Sequence, residues 1–428
     1  MPDTHNFTSS TGALGAPLAA HGHQMEQPRR TPAPAEAIPR SPLLHYAALL
    51  SGFGTAFLGP SLPALSAGLH LSDRGGGALF AAQFTGAFLG GWFTRAPLRR
   101  CMLRGFTCAA VGFAALSSTL AFHAALAWAL AALLLLGFGV GQIITSNNLL
   151  ASLLWAHRRG AALTLLNFTW SAGALCSPLF VPALVRASGP APVLAGFASL
   201  LFVGLIAVFA LPPAPNPLTS VTESSRAQTG LSQRTFLFFC LQLFLYGGVE
   251  TSLDGWLHTY DLRYTHATHA FAASTAAFWF CLAGTRAAAS ALLLRLPERQ
   301  FLRGGLALAV LALATLLALG PGRGNLIPVL AGITGAALAP WFPLLFSGLV
   351  SEGPTAPQAG RIVAVSGLGA AAIPWLVGQI SAGTGSLRTA LLLPIAGVLF
   401  LLLLSFRRRS RELAAEEIPS QIKSGAGV

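Results

Sequence analysis

The amino-acid sequence predicts an all-α membrane protein of twelve transmembrane helices arranged as two six-helix bundles. Three observations carry that prediction: an apolar composition, a rhythm of apolar stretches about twenty residues long, and arginines confined almost entirely to alternate junctions between those stretches. Apolar residues make up 54% of the chain and charged residues 9%, with a mean hydropathy of +0.66. A soluble chain keeps roughly 25% charged residues to hold its surface in water. A hydrocarbon layer of about 30 Å needs about 20 helical residues to cross it, at roughly 1.5 Å of rise each.

The spans follow one another in order. Span 1 covers 43–69 and follows Arg29, Arg30 and Arg40. Spans 2 and 3, 75–94 and 101–122, are joined by a junction with Arg95, Arg99, Arg100 and Arg104. Spans 4 and 5, 124–154 and 160–185, are joined by Arg158 and Arg159, and span 6 covers 190–211. Span 7 covers 235–258 behind Arg226 and Arg234, span 8 covers 269–294, and span 9, 301–319, follows Arg295, Arg299 and Arg303. Span 10 is 326–350, span 11 is 361–382 with Arg361 opening it, and span 12, 387–406, runs into Arg407, Arg408, Arg409, Arg411 and Lys423.

A net charge of +13 and a pI near 11.0 would suit a nucleic-acid binder, so the location of the charge decides. Twenty basic residues fall on one side of the span pattern and five, Arg74, Arg186, Arg263, Arg323 and Arg388, on the other. That bias is the positive-inside rule, with both termini in the cytoplasm and the chain multi-pass in the plasma (inner) membrane. The basicity is topological, and no nucleic-acid partner is expected.

Outside the spans the sequence predicts a disordered cytoplasmic tail over 1–42, a cytoplasmic linker over 213–234 rich in Ser, Thr and Pro, and a second tail over 409–428. The bundles then occupy 43–212 and 235–408. All five cysteines fall within spans and form no CxxC pair, which points to neither a disulfide framework nor a zinc site. An internal repeat supports two related halves. Arg95, Pro97 and Arg99 recur 200 residues later as Arg295, Pro297 and Arg299, and Gly173, Ala174 and Pro178 recur at an offset of 196 as Gly369, Ala370 and Pro374. Repeated six-helix halves place a binding site near the midplane where the repeats meet.

Several segments carry a family likeness: GFGVGQIITSNNL in span 4, LNFTWSAGALCSPL in span 5, YGGVETSLDGWLHTY in span 7, FWFCLAGTR in span 8 and GPSLPAL at the end of span 1. On these the chain resembles the major facilitator superfamily, and within it the branch of fucose permease and sodium-dependent glucose transporter-like proteins. The resemblance covers the membrane region and neither tail. It implies the major facilitator fold and alternating access by rocking of two bundles, driven by a cation gradient. The chain departs from the family pattern in two places. The junction GGWFTRAPLRR has the glycines and arginines but no acid, and spans 1 and 4 carry no carboxylate.

The candidate site residues are therefore read from position. Glu250 and Asp254 are the only acids inside spans, one turn apart on one face of span 7, and they are the candidates for ion coupling, to a proton or to sodium. Depth counted from Thr235 puts Glu250 inside and Asp254 near the outer rim. A structural hydrogen bond for Glu250 and a rim role for Asp254 stay open beside coupling. Arg286 is the only basic residue within a span, expected roughly 10 Å in depth from Glu250, where it serves as a gate on helix carbonyls or as a solute ligand. Arg95, Arg99 and Arg295 are further gating candidates. Gln83, Gln142, Asn147 and Asn167 offer amides to a polyhydroxy solute, with interhelical bonding the alternative. Asn147 and Asn148 are adjacent and cannot both face a cavity. Trp170, Trp279 and Trp375 could present a ring to a sugar face, or simply pack; Trp341 also falls inside a span, whereas Trp92, Trp128, Trp155 and Trp256 fall near span ends and fit the interfacial belt. His258, Asp261, His266 and His269 after span 7 read as a solvated outer loop, with a surface metal or pH-sensing site the lesser alternative.

The function expected is secondary active transport of a small polar solute, a sugar or related compound, by a chain that works as a monomer in the bilayer with no cofactor and no resident metal. A drug or metabolite exporter of the same fold and a non-transporting sensor or scaffold are the alternatives. An integral-membrane enzyme would need clustered acids, an HExxH motif or a nucleophile with its base, and the sequence offers none.

Overall fold

The computed structural model describes residues 42–95, 97–122, 124–155, 159–210, 230–265, 271–293, 297–319 and 323–406. Its helices are α1 (Pro42–Ala56), α2 (Leu58–Gly68), α3 (Asp73–Trp92), α4 (Leu98–Ala121), α5 (Leu126–Leu154), α6 (Arg159–Ser188) and α7 (Pro190–Ala210) in the first half. The second half holds α8 (Gln233–Thr265), α9 (Ala273–Leu293), α10 (Glu298–Ala318), α11 (Leu326–Leu338), α12 (Trp341–Ser351), α13 (Ala356–Thr384) and α14 (Leu387–Phe406). Nine spans among the described residues are long and apolar enough to cross a membrane, α11 and α12 together being one of them, and the bent pair α1–α2 makes a tenth. Helix α3 has 20 residues but falls short in apolarity. Glycines and two charged residues dilute it, and it packs against the opposite half, where lipid-facing leucines are not needed.

Two predicted spans are broken, and proline is the cause. The chain turns by 48° between α1 and α2. Pro60 and Pro63 have no N–H, so the carbonyls of Ala56 and Gly59 lose their partners one turn on. Neighbouring helices compensate: Ser177 of α6 donates to the Ala56 carbonyl at 3.3 Å, and the Gln83 amide of α3 donates to the carbonyls of Gly54 and Thr55 at 3.0 and 3.2 Å. In the second half, Pro340 and Pro343 interrupt α11–α12, and Pro343 orphans the Ala339 carbonyl. Arg286 Nε donates to that oxygen at 3.4 Å.

The sequence repeat has a structural counterpart. A Cβ on Gly173 would stand 2.0 Å from the Leu49 carbonyl oxygen, and one on Gly369 would stand 1.8 Å from that of Phe244. Both glycines let a fifth-in-half helix lie directly on the first helix of its own half, α6 on α1 and α13 on α8.

Two span boundaries move candidate residues away from their expected places. Helix α8 continues to Thr265 instead of ending at 258, so His258 and Asp261 are buried helical residues, 6% and 4% exposed, and not part of an outer loop. Helix α13 starts at Ala356 because Thr355 and Gln358 form a reciprocal capping box, which moves Arg361 from the opening of the span into its second turn. Trp256 is fully buried with its indole donating to the Pro374 carbonyl at 3.1 Å, so it is no interfacial belt residue. Residues 1–41, 213–229 and 409–428, together with His266, His269 and Arg295, lie outside the described residues.

Candidate functional site

The charged residues predicted inside the bilayer meet in one network on the α8–α9 hairpin. On α8, Tyr246, Glu250 and Asp254 recur every four residues and so share a face. On α9, Trp279 and Arg286 lie two turns apart on one face. The antiparallel register brings the faces together. Arg286 donates to Glu250 Oε1 at 3.0 Å and to the Tyr246 hydroxyl at 2.8 Å, while Tyr246 donates to the same carboxylate oxygen at 2.9 Å. One turn further, the Trp279 indole donates to Asp254 Oδ1 at 2.6 Å. The expected depth gap between Glu250 and Arg286 is thus closed by a direct ion pair. Depths counted separately from two span ends carried the errors of both ends, and the long arginine side chain spans what offset remains.

The two carboxylates differ in their partners. Glu250 keeps a cation and a phenol, with 18% of its side chain exposed. Asp254 is 4% exposed and, far from marking an outer rim, sits against an indole with no cation bonded to it among the described residues. Helix α8 runs eleven residues past it, about 16 Å, which is why a depth reckoned on a shorter span misplaced it.

The network lies where the halves touch. Trp279 meets Trp170 of α6 edge to face, with ring centroids 5.7 Å apart, and Gly59 of α2 lies on the backbone of Asp254 and Gly255. Phe80 of α3 packs on Trp256. Asn167, one turn from Trp170 toward the arginine-rich face, is exposed. The remaining amides serve other ends. Gln83 holds the α1–α2 break, and Asn147 donates to the Leu44 carbonyl at 3.0 Å. Gln142 is fully buried with neither amide atom bonded among the described residues. Asn148 is half-buried. Trp375 is 39% exposed and its ring is not part of the cluster. Arg99 donates to the Phe209 carbonyl at 2.6 Å within its own half, and Arg95 is exposed.

Sequence reasoning missed Tyr246, although its spacing to Glu250 and Asp254 was visible. It also missed a second charged group at the arginine-poor face. There Arg263 at the end of α8 donates to Asp73 at the start of α3 at 2.7 Å, and Ser381 of α13 donates to the same carboxylate. Burial works to raise the Asp73 carboxyl, but the bonds from Arg263 and Ser381 and the nearby guanidinium outweigh it and hold the group below its usual range. A backbone bond adds to this contact. Pro182 orphans the Pro178 carbonyl of α6, and the Ala272 N–H before α9 donates to it at 2.9 Å.

Two pseudo-symmetric sets of membrane helices, with buried charge at their contact, have the architecture of a secondary transporter. The chain belongs to the Major Facilitator Superfamily, whose family model matches residues 44–359. No curated protein matches the chain by sequence. Among solved structures it is similar to a D-xylose–proton symporter, at 15% identity over 85% of this chain and 95% of that one, with a TM-score of 0.68. The inward-open xylose transporter from E. coli matches at 15% identity over 85% and 94%, with a TM-score of 0.65. The E. coli fucose:proton symporter matches at 15% identity over 86% and 98%, with a TM-score of 0.58. At these identities the likeness shows the fold.

Proposed function

We propose that the chain is a secondary active transporter that moves a small polar solute, a sugar or related compound, by alternating access coupled to a proton. The observation that carries this reading is the Asp254–Trp279 and Glu250–Tyr246–Arg286 network, set at the contact between the halves beside Trp170. An ionised carboxylate in hydrocarbon costs several kcal/mol unless it is paired or reaches a cavity. Glu250 has its pair. Asp254 has one indole N–H, and it is the group whose proton occupancy the surroundings can sense. The solute then lies on the arginine-rich side of the Trp170–Trp279 contact, against Asn167, with an indole face offered to the C–H face of the sugar. Two structural neighbours, a xylose–proton symporter and a fucose:proton symporter, belong to the same class and support it.

On this reading the arginine-rich face is cytoplasmic, as the charge bias requires, and both termini lie there. The halves 43–212 and 235–408 rock as two bodies joined by the 213–234 linker, and the chain acts as a monomer in the plasma membrane. The test is flux in proteoliposomes with a panel of labelled sugars and lipophilic cations. At least one sugar is expected to accumulate under an imposed proton gradient and to be released by an uncoupler. Flux of lipophilic cations alone would make the protein an exporter, binding without flux would make it a sensor, and accumulation under a sodium gradient alone would replace the proton.

A further inference from the structure

A second polar region lies away from the contact between the halves, inside the second half at its arginine-rich end. A cavity of about 300 Å³ opens there between α8, α10, α12 and α14, at the lower end of the sizes that hold small-molecule ligands. Its rim and its interior differ in chemistry. The first two turns of α10 bring Glu298, Arg299 and Arg303 to the rim, a sum of one positive charge, and the N-terminal end of that helix adds its dipole. Phe238, Leu302, Leu344 and Leu345 supply the apolar part of the cavity lining. Helix α12 lines the cavity from Trp341 to Ser351, about 15 Å along its axis.

Two buried polar side chains lining the cavity make no hydrogen bond to another described residue. Gln242 is 5% exposed and makes no side-chain hydrogen bond to another described residue. The indole nitrogen of Trp341, 2% exposed, is likewise unbonded among the described residues. Arg303 is held in place from one side. It donates to the Ser405 carbonyl at 2.9 Å and stacks 4.3 Å from the Phe406 ring centroid, which fixes its guanidinium at the mouth. A cationic mouth over a partly apolar lining, at the membrane face where basic residues concentrate, fits an amphiphile with an anionic head. A free sugar would leave the apolar part unfilled, and a lipophilic cation would meet the arginines.

We propose that this cavity is a binding site for an acidic phospholipid, its phosphate at Arg299 and Arg303 and the first part of an acyl chain along α12. The test is native mass spectrometry of the purified full-length chain with phosphatidylglycerol, with phosphatidylcholine of the same chains, and with inorganic phosphate alone. Phosphatidylglycerol is expected to stay bound where phosphatidylcholine and inorganic phosphate do not. Arg299→Gln should lower the bound fraction about five-fold, the equivalent of roughly 1 kcal/mol for one interfacial arginine. Ser347→Phe, which keeps both arginines but fills the cavity, should abolish binding while thermal stability and the α-helical signal stay at the parent level. Equal retention of phosphatidylcholine, binding of inorganic phosphate alone, or full binding by the filled variant would each overturn the proposal. A variant that unfolds is replaced by Gly348→Leu, which fills the same space from the neighbouring position.

Discussion

At the residue scale the two intramembrane carboxylates differ in their partners, Glu250 paired with Arg286 and Tyr246 and Asp254 bonded to the Trp279 indole. Their helical spacing was legible, because positions four apart share a face whatever the tertiary structure. Their partners were not, because a register between two helices depends on where each begins, and α8 begins and ends outside its predicted bounds. Asp254→Asn keeps an acceptor oxygen for the Trp279 indole and removes the proton-binding group at nearly constant volume. This variant is expected to retain solute binding and counterflow exchange while losing accumulation driven by an imposed proton gradient; accumulation at the parent level would move coupling elsewhere. The Glu250–Arg286 pair predicts a different signature. Glu250→Gln keeps an acceptor oxygen but leaves the Arg286 guanidinium, 23% exposed, without its countercharge, and thermal unfolding should show a loss of about 2 kcal/mol. Arg286→Gln on top of it should recover part of that loss, since no unpaired charge remains. Additive losses in the double variant would mean that the pair carries no coupling energy.

At the element scale, hydropathy found most of the spans and missed the breaks within them. A sliding window averages side chains and cannot register that Pro60 and Pro343 each take away one N–H, or that Ser177 and Arg286 arrive from other helices to bond the released carbonyls. The repeat was more informative than the window. Gly173 and Gly369 match at an offset of 196 in sequence, and in the structure each lies on a backbone carbonyl of the first helix in its half. Any side chain at either position must push two helices apart. Gly173→Val and Gly369→Val are both expected to lower stability by about 3 kcal/mol or more, at the upper end of overpacking costs. Gly196, with open space around it, supplies the control, and Gly196→Ala should stay within about 1 kcal/mol of the parent. Similar melting temperatures for all three variants would mean that the helices relax apart without strain, and that the matched glycines are not a packing device.

At the scale of the whole molecule, the arginine-poor face is the side that is tied shut. The halves are joined there by the Asp73–Arg263–Ser381 cluster, by the Pro178–Ala272 backbone bond and by α2 lying on α8. Sequence alone treated Arg263 as an exception to the charge bias, and nothing local could link it to an aspartate 190 residues away. On the alternating-access reading, a latch of this kind would bias the balance between the two access states if it breaks in one of them. The Asp73 carboxyl is held below its usual value in the closed arrangement. Its contribution is therefore complete at neutral pH and fades as the pH falls below about 4, where the free carboxyl takes up its proton. Removing the charge should act like that acid. Spin labels on cysteines at Ala67 and Thr384, both exposed at this face, would report the separation of the halves once the five native cysteines are replaced by alanine. Asp73→Asn and Arg263→Gln are each expected to shift the distance distribution toward longer values at pH 7, and acidification is expected to shift the parent in the same direction while leaving Asp73→Asn unchanged. If the two variants keep the parent's distribution, the apolar and backbone contacts between α2, α6, α8 and α9 hold the face closed without the ion pair, and the balance of states is set by packing alone.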